Sequence, residues 1–230
     1  MENRRFREIV LQGILDGYTD DLELIKLEHN LETFSSKYPL ARDLANSNIM
    51  NSLDRDRYVF PRFKRGAHEF ILIYDKKEKV LYSIMKEKTF KTLKISPNGN
   101  KIHYLEALGL INYERTPLTS QLMLFDDEHR MNNTKELLEK LLSSEILEEA
   151  KVHNLIIFDI KNNEMKSVKS IQLNSNLDII SDESWNDYIP VKYEDIGLSN
   201  IELDEDDDEY ADEIGIEISI KGTDIQKVVK

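Results

Sequence analysis

HEFILIYDKKEKVLYSIMKEKTFKTLK, residues 68–94, is the densest concentration of core-forming side chains in the chain. An apolar run, Phe70-Ile71-Leu72-Ile73-Tyr74, meets a charged stretch from Asp75 to Lys79, and a second apolar run follows from Val80 to Met85. Two short apolar runs separated by a polar turn predict a β-hairpin. Met85, Phe90 and Leu93 then fall on one helical face, so the second strand should pass into a helix ending near Lys94. Nothing in the stretch is a catalytic signature.

Working outward, a second hairpin is predicted downstream. Residues 155–160 (LIIFDI) read as a strand, 161–164 (KNNE) as its turn, and 165–173 as the alternating partner strand. Both hairpins have an apolar strand ending in an acidic residue, Asp75 and Asp159. That pattern could reflect an old duplication, but the general rule of an apolar strand ending in an acidic turn is the preferred reading. The two hairpins are expected to share one sheet with helices packed on a face. Residues 4–16 place Phe6, Ile9, Val10, Gly13 and Ile14 on one side of a helix. Weaker helical patterns span 20–34 and 40–53, with Pro39 interrupting between them. Pro61 and Gly66 mark residues 57–66 as extended and turning. Residues 104–111 read as a short helix or a buried strand. Residues 134–151 carry the clearest helical stripe, Leu137, Leu138, Leu141, Leu142, Ile146 and Leu147, with Thr134 as its cap. Trp185, Tyr188, Ile189, Pro190, Val191 and Tyr193 are suited to clamp a loop on the core, and 214–220 alternate as a late strand. The expected fold is α+β: N-terminal helices over 1–55, a core over 56–177 built on a mainly antiparallel sheet of two hairpins with packed helices, and an acidic C-terminal region over 178–230.

At 230 residues and 40% hydrophobic content the chain is long and apolar enough to bury a core. Cysteine is absent, which excludes disulfides, thiolate zinc sites and a cysteine nucleophile. The first residues, MENRRFREIV, lack the apolar core of a signal peptide, and no apolar run approaches the ~18 residues of a membrane span. A cytoplasmic protein without a membrane partner is expected. The formal net charge of −13 is unevenly placed: residues 178–217 hold 16 acidic residues against one basic residue, Lys192, while residues 1–177 hold 27 of each.

Several chemistries can be set against these residues. Glu69, Asp75 and Glu87 flank the first hairpin as the carboxylates of a magnesium-dependent nuclease would, but Thr89 stands where the Glu-x-Lys of such a site needs lysine. His29, His68, His103, His129 and His153 have no partner at zinc-ligand spacing, and His68 and His103 read as ordinary surface or strand-end residues. Gly-x-Ser-x-Gly and the glycine-rich phosphate loops are missing. No catalytic residue, metal or cofactor is expected. Arg57, Arg62, Lys64 and Arg65, interleaved with Tyr58, Phe60 and Phe63, suit phosphate contact with base stacking, an acidic partner, this chain's own acidic segment, or simply a charged rim. Gln121-Leu122-Met123-Leu124-Phe125 matches the short peptide by which bacterial proteins dock on the DNA sliding clamp: Leu122, Leu124 and Phe125 would enter apolar pockets while Gln121 bonds at the rim. Such a short match fits a buried anchor as well. Asp204, Glu205, Asp206, Asp207, Asp208 and Glu209 centre an acidic run that reads as a solvated tail or as a mimic of nucleic-acid phosphates.

Lys64-Arg65-Gly66, the strand ending in Tyr74-Asp75, and the run Leu81-Tyr82-Ser83-Ile84-Met85-Lys86-Glu87-Lys88-Thr89-Phe90 together resemble an uncharacterised domain family of Gram-positive bacteria, their phages and mobile elements, over residues 55–125. The resemblance implies no activity and no catalytic residue. It implies roles in genetic conflict, as regulators, antitoxins, defence or anti-defence components. The leading expectation is a non-enzymatic interaction protein that binds a nucleic-acid-handling or defence protein through its acidic part. The alternative is a nucleic-acid-binding protein or metal-dependent nuclease using the basic cluster at 57–65. In a third reading that cluster docks the chain's own acidic segment until a partner displaces it.

Overall fold

The computed structural model describes residues 2–65, 68–95, 102–115 and 126–190. Three helices come first, α1 (Glu2–Tyr18), α2 (Asp20–Glu28) and α3 (Lys37–Ser52). Five strands follow, β1 (Tyr58–Val59), β2 (Arg62–Arg65), β3 (His68–Ile71), β4 (Ile73–Asp75) and β5 (Val80–Lys86). Then come α4 (Glu87–Ile95), α5 (Tyr104–Gly109), a 3₁₀ turn (Leu110–Arg115), α6 (Asp126–Leu141) and α7 (Ser144–Glu149). Three more strands, β6 (Val152–Lys161), β7 (Glu164–Leu173) and β8 (Ile179–Ser184), lead to a last 3₁₀ turn (Asn186–Tyr188). The fold is α+β, as the sequence predicts.

The main sheet has the order β1-β4-β5-β6-β7-β8 and is antiparallel except at its centre, where β5 and β6 run parallel with Leu81 opposite His153 and Met85 opposite Ile157. A parallel pair needs a long crossover, and α4 to α7 supply it. Side chains alternate across a strand, and both central strands place apolar residues on both faces. Leu81, Met85, Leu155 and Ile157 enter one core with Phe90, Leu105, Leu108, Leu138 and Ile146 of the crossover helices. Tyr82, Ile156 and Phe158 enter another with Phe6, Val10, Ile14 and Ile49 of α1 and α3. Helices therefore cover both faces of the sheet, not one. The N-terminal helices share their core directly with the central strands.

The first hairpin is interrupted in a way the sequence did not announce. The apolar run 70–74 is split at Leu72 between two sheets. Tyr58 pairs with Asp75 and Val59 with Tyr74 in the main sheet, while Arg62 pairs with Ile71 and Phe63 with Phe70 in a separate two-stranded sheet. The register offset is the same in both, so residues 58–65 and 68–75 form one antiparallel ribbon that bends out of the main sheet. Pro61 sits at the bend; it has no N–H to donate, and its carbonyl accepts from the Leu72 N–H at 2.8 Å. At the other end of the ribbon Asp75 closes the turn into β5, its Oδ1 accepting from the Lys77 and Glu78 N–H groups. The β6–β7 turn is tighter. Asn162 and Asn163 both adopt positive φ, 52° and 58°, the left-handed pair of a two-residue hairpin loop.

Two helical expectations change and one open choice, over 104–111, resolves to helix. The stripe over 134–151 is two helices: Thr134 lies inside α6, its hydroxyl donating to the Arg130 carbonyl, and the chain breaks at Ser143, which caps α7 by accepting from the Ile146 N–H. Adjacent serines compete for backbone partners and favour a break there. Pro39 does not interrupt; it occupies the first turn of α3, where its missing N–H has no acceptor to lose. The run 104–111 is helical throughout. Strand β8, with the polar sequence IISDES, is an exposed edge strand that hydropathy did not signal. Trp185 is buried and closes the sheet's end against Phe6 at 6.3 Å, as the clamp reading requires. The late strand expected over 214–220 lies outside the described residues, as do Val191 and Tyr193.

Candidate functional site

The acidic residues Asp204, Glu205, Asp206, Asp207, Asp208 and Glu209 and the docking-peptide residues Gln121, Leu122, Leu124 and Phe125 lie outside the described residues. The basic cluster is divided by the fold. Arg57 turns inward and grips Asp75, with Nε 3.1 Å from both carboxylate oxygens and Nη2 2.6 Å from Oδ2. Asp75 is buried. Burial opposes its ionisation, but the Arg57 guanidinium and the Glu78 and Lys77 N–H groups more than offset that and hold the carboxyl below its usual range. Arg57 is thus a structural residue tying β1 to the β4–β5 turn. Arg62 and Lys64 stand exposed on the same face of the ribbon, Lys64 opposite Glu69. The opposite face carries Phe63 and Phe70, stacked at 5.4 Å and packed on Tyr104. The Arg65 side chain lies outside the described residues.

The carboxylates considered for a nuclease do not converge. Asp75 precedes β5 and Glu87 follows it, seven strand residues away, about 20 Å apart at the rise of an extended chain. Among the described residues no group of three histidine, aspartate or glutamate side chains is placed to hold a metal ion.

Among the described residues two histidines are buried, His103 and His153, the first contrary to its surface reading. His103 caps α5: its Nδ1 accepts from the Leu105 N–H at 3.2 Å while Glu106 accepts from the His103 N–H at 2.8 Å. Glu106 in turn pairs with Arg130 of α6. His153, at the centre of the sheet, is fully enclosed, and its Nε2 lies 2.9 Å from the Ser83 hydroxyl across the β5–β6 pair. Complete burial lowers its pKa to about 3, so the ring is neutral at ordinary pH. Serine and histidine at this distance have the geometry of a nucleophile and its base. Here both are sealed from solvent, at 2% and 0% exposure, so no substrate reaches them and the pair is structural. Asn112 completes this polar centre. Its amide donates to the His153 and Leu173 carbonyls at 2.8 and 2.9 Å and accepts from the His153 N–H at 2.9 Å. The side chain thus fills the gap where β6 and β7 diverge. Its sole trace in the sequence is an asparagine set in the apolar run 104–112.

A cleft lies where the ribbon leaves the sheet. β4 pairs with β5 only from Val80 to Tyr82, so residues 83–86 have β6 alone as a strand neighbour. The vacated side is bounded by Arg42, Ala45 and Asn46 of α3, Phe70 and Ile71 of β3, Tyr18 of α1, and Lys86 and Thr89 at the junction of β5 and α4, around a small cavity of about 40 Å³. The Lys86 ammonium sits 4.0 Å from the Tyr38 ring centre and 4.9 Å from that of Tyr18. The Arg42 guanidinium lies 4.7 Å over Phe70. Sequence reasoning missed Arg42, Lys86 and Thr89 because they are distant in the chain and belong to no motif.

A mixed sheet with a parallel central pair, helical layers on both faces and a cleft at the carboxyl end of that pair defines an α+β domain protein. The chain belongs to a family of unknown function, DUF5986, whose model matches residues 2–228. No curated protein and no solved structure matches it.

Proposed function

We propose that this protein is a non-enzymatic interaction protein of the bacterial or phage cytoplasm that binds a basic, nucleic-acid-handling protein through its acidic C-terminal part. The observation that carries this reading is the charge partition. Residues 178–217 hold 16 acidic residues against one basic residue, while the preceding 177 residues are balanced. A surface of that density attracts a phosphate-binding groove at long range and competes with nucleic acid for it. The resemblance to a family of Gram-positive bacteria, their phages and mobile elements supports a defence or anti-defence protein as the partner.

The test compares the intact chain with Asp204→Asn/Asp206→Asn/Asp208→Asn and with a chain ending at Leu198. Partner affinity should fall by about tenfold or more in the triple variant and vanish on truncation. It should also weaken steeply above the salt concentration at which the Debye length drops below ~8 Å. Equal capture of the same partners by all three forms would refute the reading. A second reading rests on the exposed Arg62 and Lys64 of the ribbon. If nucleic acid is the ligand, Arg62→Ala/Lys64→Ala abolishes oligonucleotide binding while the aspartate variants leave it intact.

A further inference from the structure

Two apolar surfaces, one convex and one concave, are left uncovered among the described residues. The convex one is a stripe on α2. Leu24 and Leu27, one turn apart, are 55% and 63% exposed, while Leu22 of the same helix is buried. Single exposed apolar side chains are ordinary, but two neighbouring leucines on one helical face make a patch. Glu23 and Lys26, also one turn apart, border that stripe on one side.

The concave surface is a groove between the 3₁₀ turn at 110–115, α6 and α7. It holds about 560 Å³, against about 40 Å³ beside β5, and Leu110, Tyr113, Met131 and Leu147 line it. Tyr113 is 61% exposed. Lys135 and Glu139, one turn apart on α6, stand at its edge. A groove with this lining suits the apolar side chains of an amphipathic helix. The stripe and the groove of one chain face away from each other. α2 packs on α1 and α3, whose side chains enter the core on one face of the sheet, whereas α6 and α7 enter the core on the other.

We infer that the α2 stripe of one copy of this chain docks in the groove of a second copy. Leu24 and Leu27 enter beside Tyr113 and Met131, and the charged edges match, Glu23 meeting Lys135 and Lys26 meeting Glu139 one turn further on. Among the described residues none of these four charged side chains has an ion-pair partner within its own chain. Because stripe and groove lie on opposite sides of the sheet, the contact is heterologous and repeats head to tail. Two leucines in one groove make a small contact, so the association belongs to the weak, transient class. The inference is independent of the acidic segment. The Asp204/Asp206/Asp208 triple variant should therefore self-associate as the parent does.

The experiment is analytical ultracentrifugation of the full chain from about 10 μM to 0.5 mM, the range of a weak contact. The weight-average mass should climb above that of the monomer as concentration rises. Leu24→Asp/Leu27→Asp, which removes the stripe, and Tyr113→Asp/Lys135→Glu, which spoils the groove, should each weaken association about tenfold or more. All four positions are exposed, so both variants should keep the parent's circular dichroism. Mixed together, the two variants have one intact groove and one intact stripe between them, and should form a complex of one copy of each that grows no further. Variants that stay apart on mixing, association undiminished in either variant alone, or an intact chain that remains monomeric at 0.5 mM would each overturn the inference. A monomeric intact chain whose thermal midpoint falls in Tyr113→Asp/Lys135→Glu would show the groove filled from within the same chain, and would overturn it too.

Discussion

Asn112 shows how much one side chain can carry. Its amide satisfies one N–H and two carbonyls of β6 and β7. Each orphaned buried group costs about 1–3 kcal/mol, so Asn112→Ala should lose about 3 kcal/mol or more, read as a lower midpoint in urea unfolding. Asn112→Asp should lose a similar amount, because a carboxylate cannot donate to the two carbonyls. A loss no larger than that of a surface Asn→Asp change would contradict this role. His153 makes stability depend on pH. The unfolded chain takes up a proton near pH 6.5 that the folded ring refuses until about pH 3, so stability declines as pH falls through that interval, by up to ~1.4 kcal/mol per unit. Ser83→Ala/His153→Leu removes both ends of the buried pair. In that variant the decline between pH 6.5 and 5 should flatten, and an unchanged slope would show that another group is responsible. Asp75 acts in the same direction at lower pH. With its carboxyl held below the usual range, its contribution is complete above about pH 4 and is lost as pH falls further. Removing its partner by Arg57→Met leaves a buried carboxylate and should cost about 3 kcal/mol at pH 7.

At the scale of elements, α1 is held by its apolar stripe and by two small residues that let α3 approach. Phe6, Val10, Leu11, Ile14 and Leu15 are almost fully buried, each worth ~1.5–3 kcal/mol of transfer free energy. A methyl group on Gly17 would stand 2.3 Å from the Ala45 backbone nitrogen, whereas one on Gly13 would first meet the Ile49 side chain at 2.7 Å. Alanine is the better helix former by ~1 kcal/mol, so both substitutions would stabilise an isolated α1. In the folded protein Gly17→Ala should instead destabilise by about 1–3 kcal/mol, and by more than Gly13→Ala, because backbone cannot move aside as a side chain can. Thermal unfolding of the two variants gives the order directly. The ribbon over 58–75 behaves as one element bent by one residue. Pro61 sits at the bend, opposite Leu72, where the ribbon turns away from β5 and leaves the cleft beside it.

For the whole molecule, the two cores described are built from residues 6–185, and the charge imbalance lies beyond Leu177. Under the proposed function, recognition falls mainly to residues beyond those that build the cores, although β8 and Trp185 of the acidic region also belong to the sheet and core. A chain ending at Leu198 should unfold within about 3 °C of the intact protein, since a 1 kcal/mol change moves the midpoint of a domain this size by ~2–4 °C. A larger drop would mean that residues after 198 help to hold the cores together. Among the described residues no helix is long and apolar enough to cross a membrane.

What the sequence determined by itself is what local periodicity and composition encode. The second hairpin, strand β5 with its α4 extension, the buried stripe of α1, the Asn162–Asn163 turn and the concentration of acid in residues 178–217 were all legible, because each depends on residues near one another in the chain. The tertiary structure alone decided that β5 and β6 pair in parallel, that both sheet faces are covered, and that Asp75 belongs to Arg57 rather than to a metal. It alone enclosed His153 with Ser83 and Asn112, and it alone brought Arg42, Lys86 and Thr89 to one cleft. Those outcomes depend on pairings between segments tens of residues apart. Such pairings are chosen by the burial of whole faces and the satisfaction of backbone hydrogen bonds, which no short stretch of sequence records.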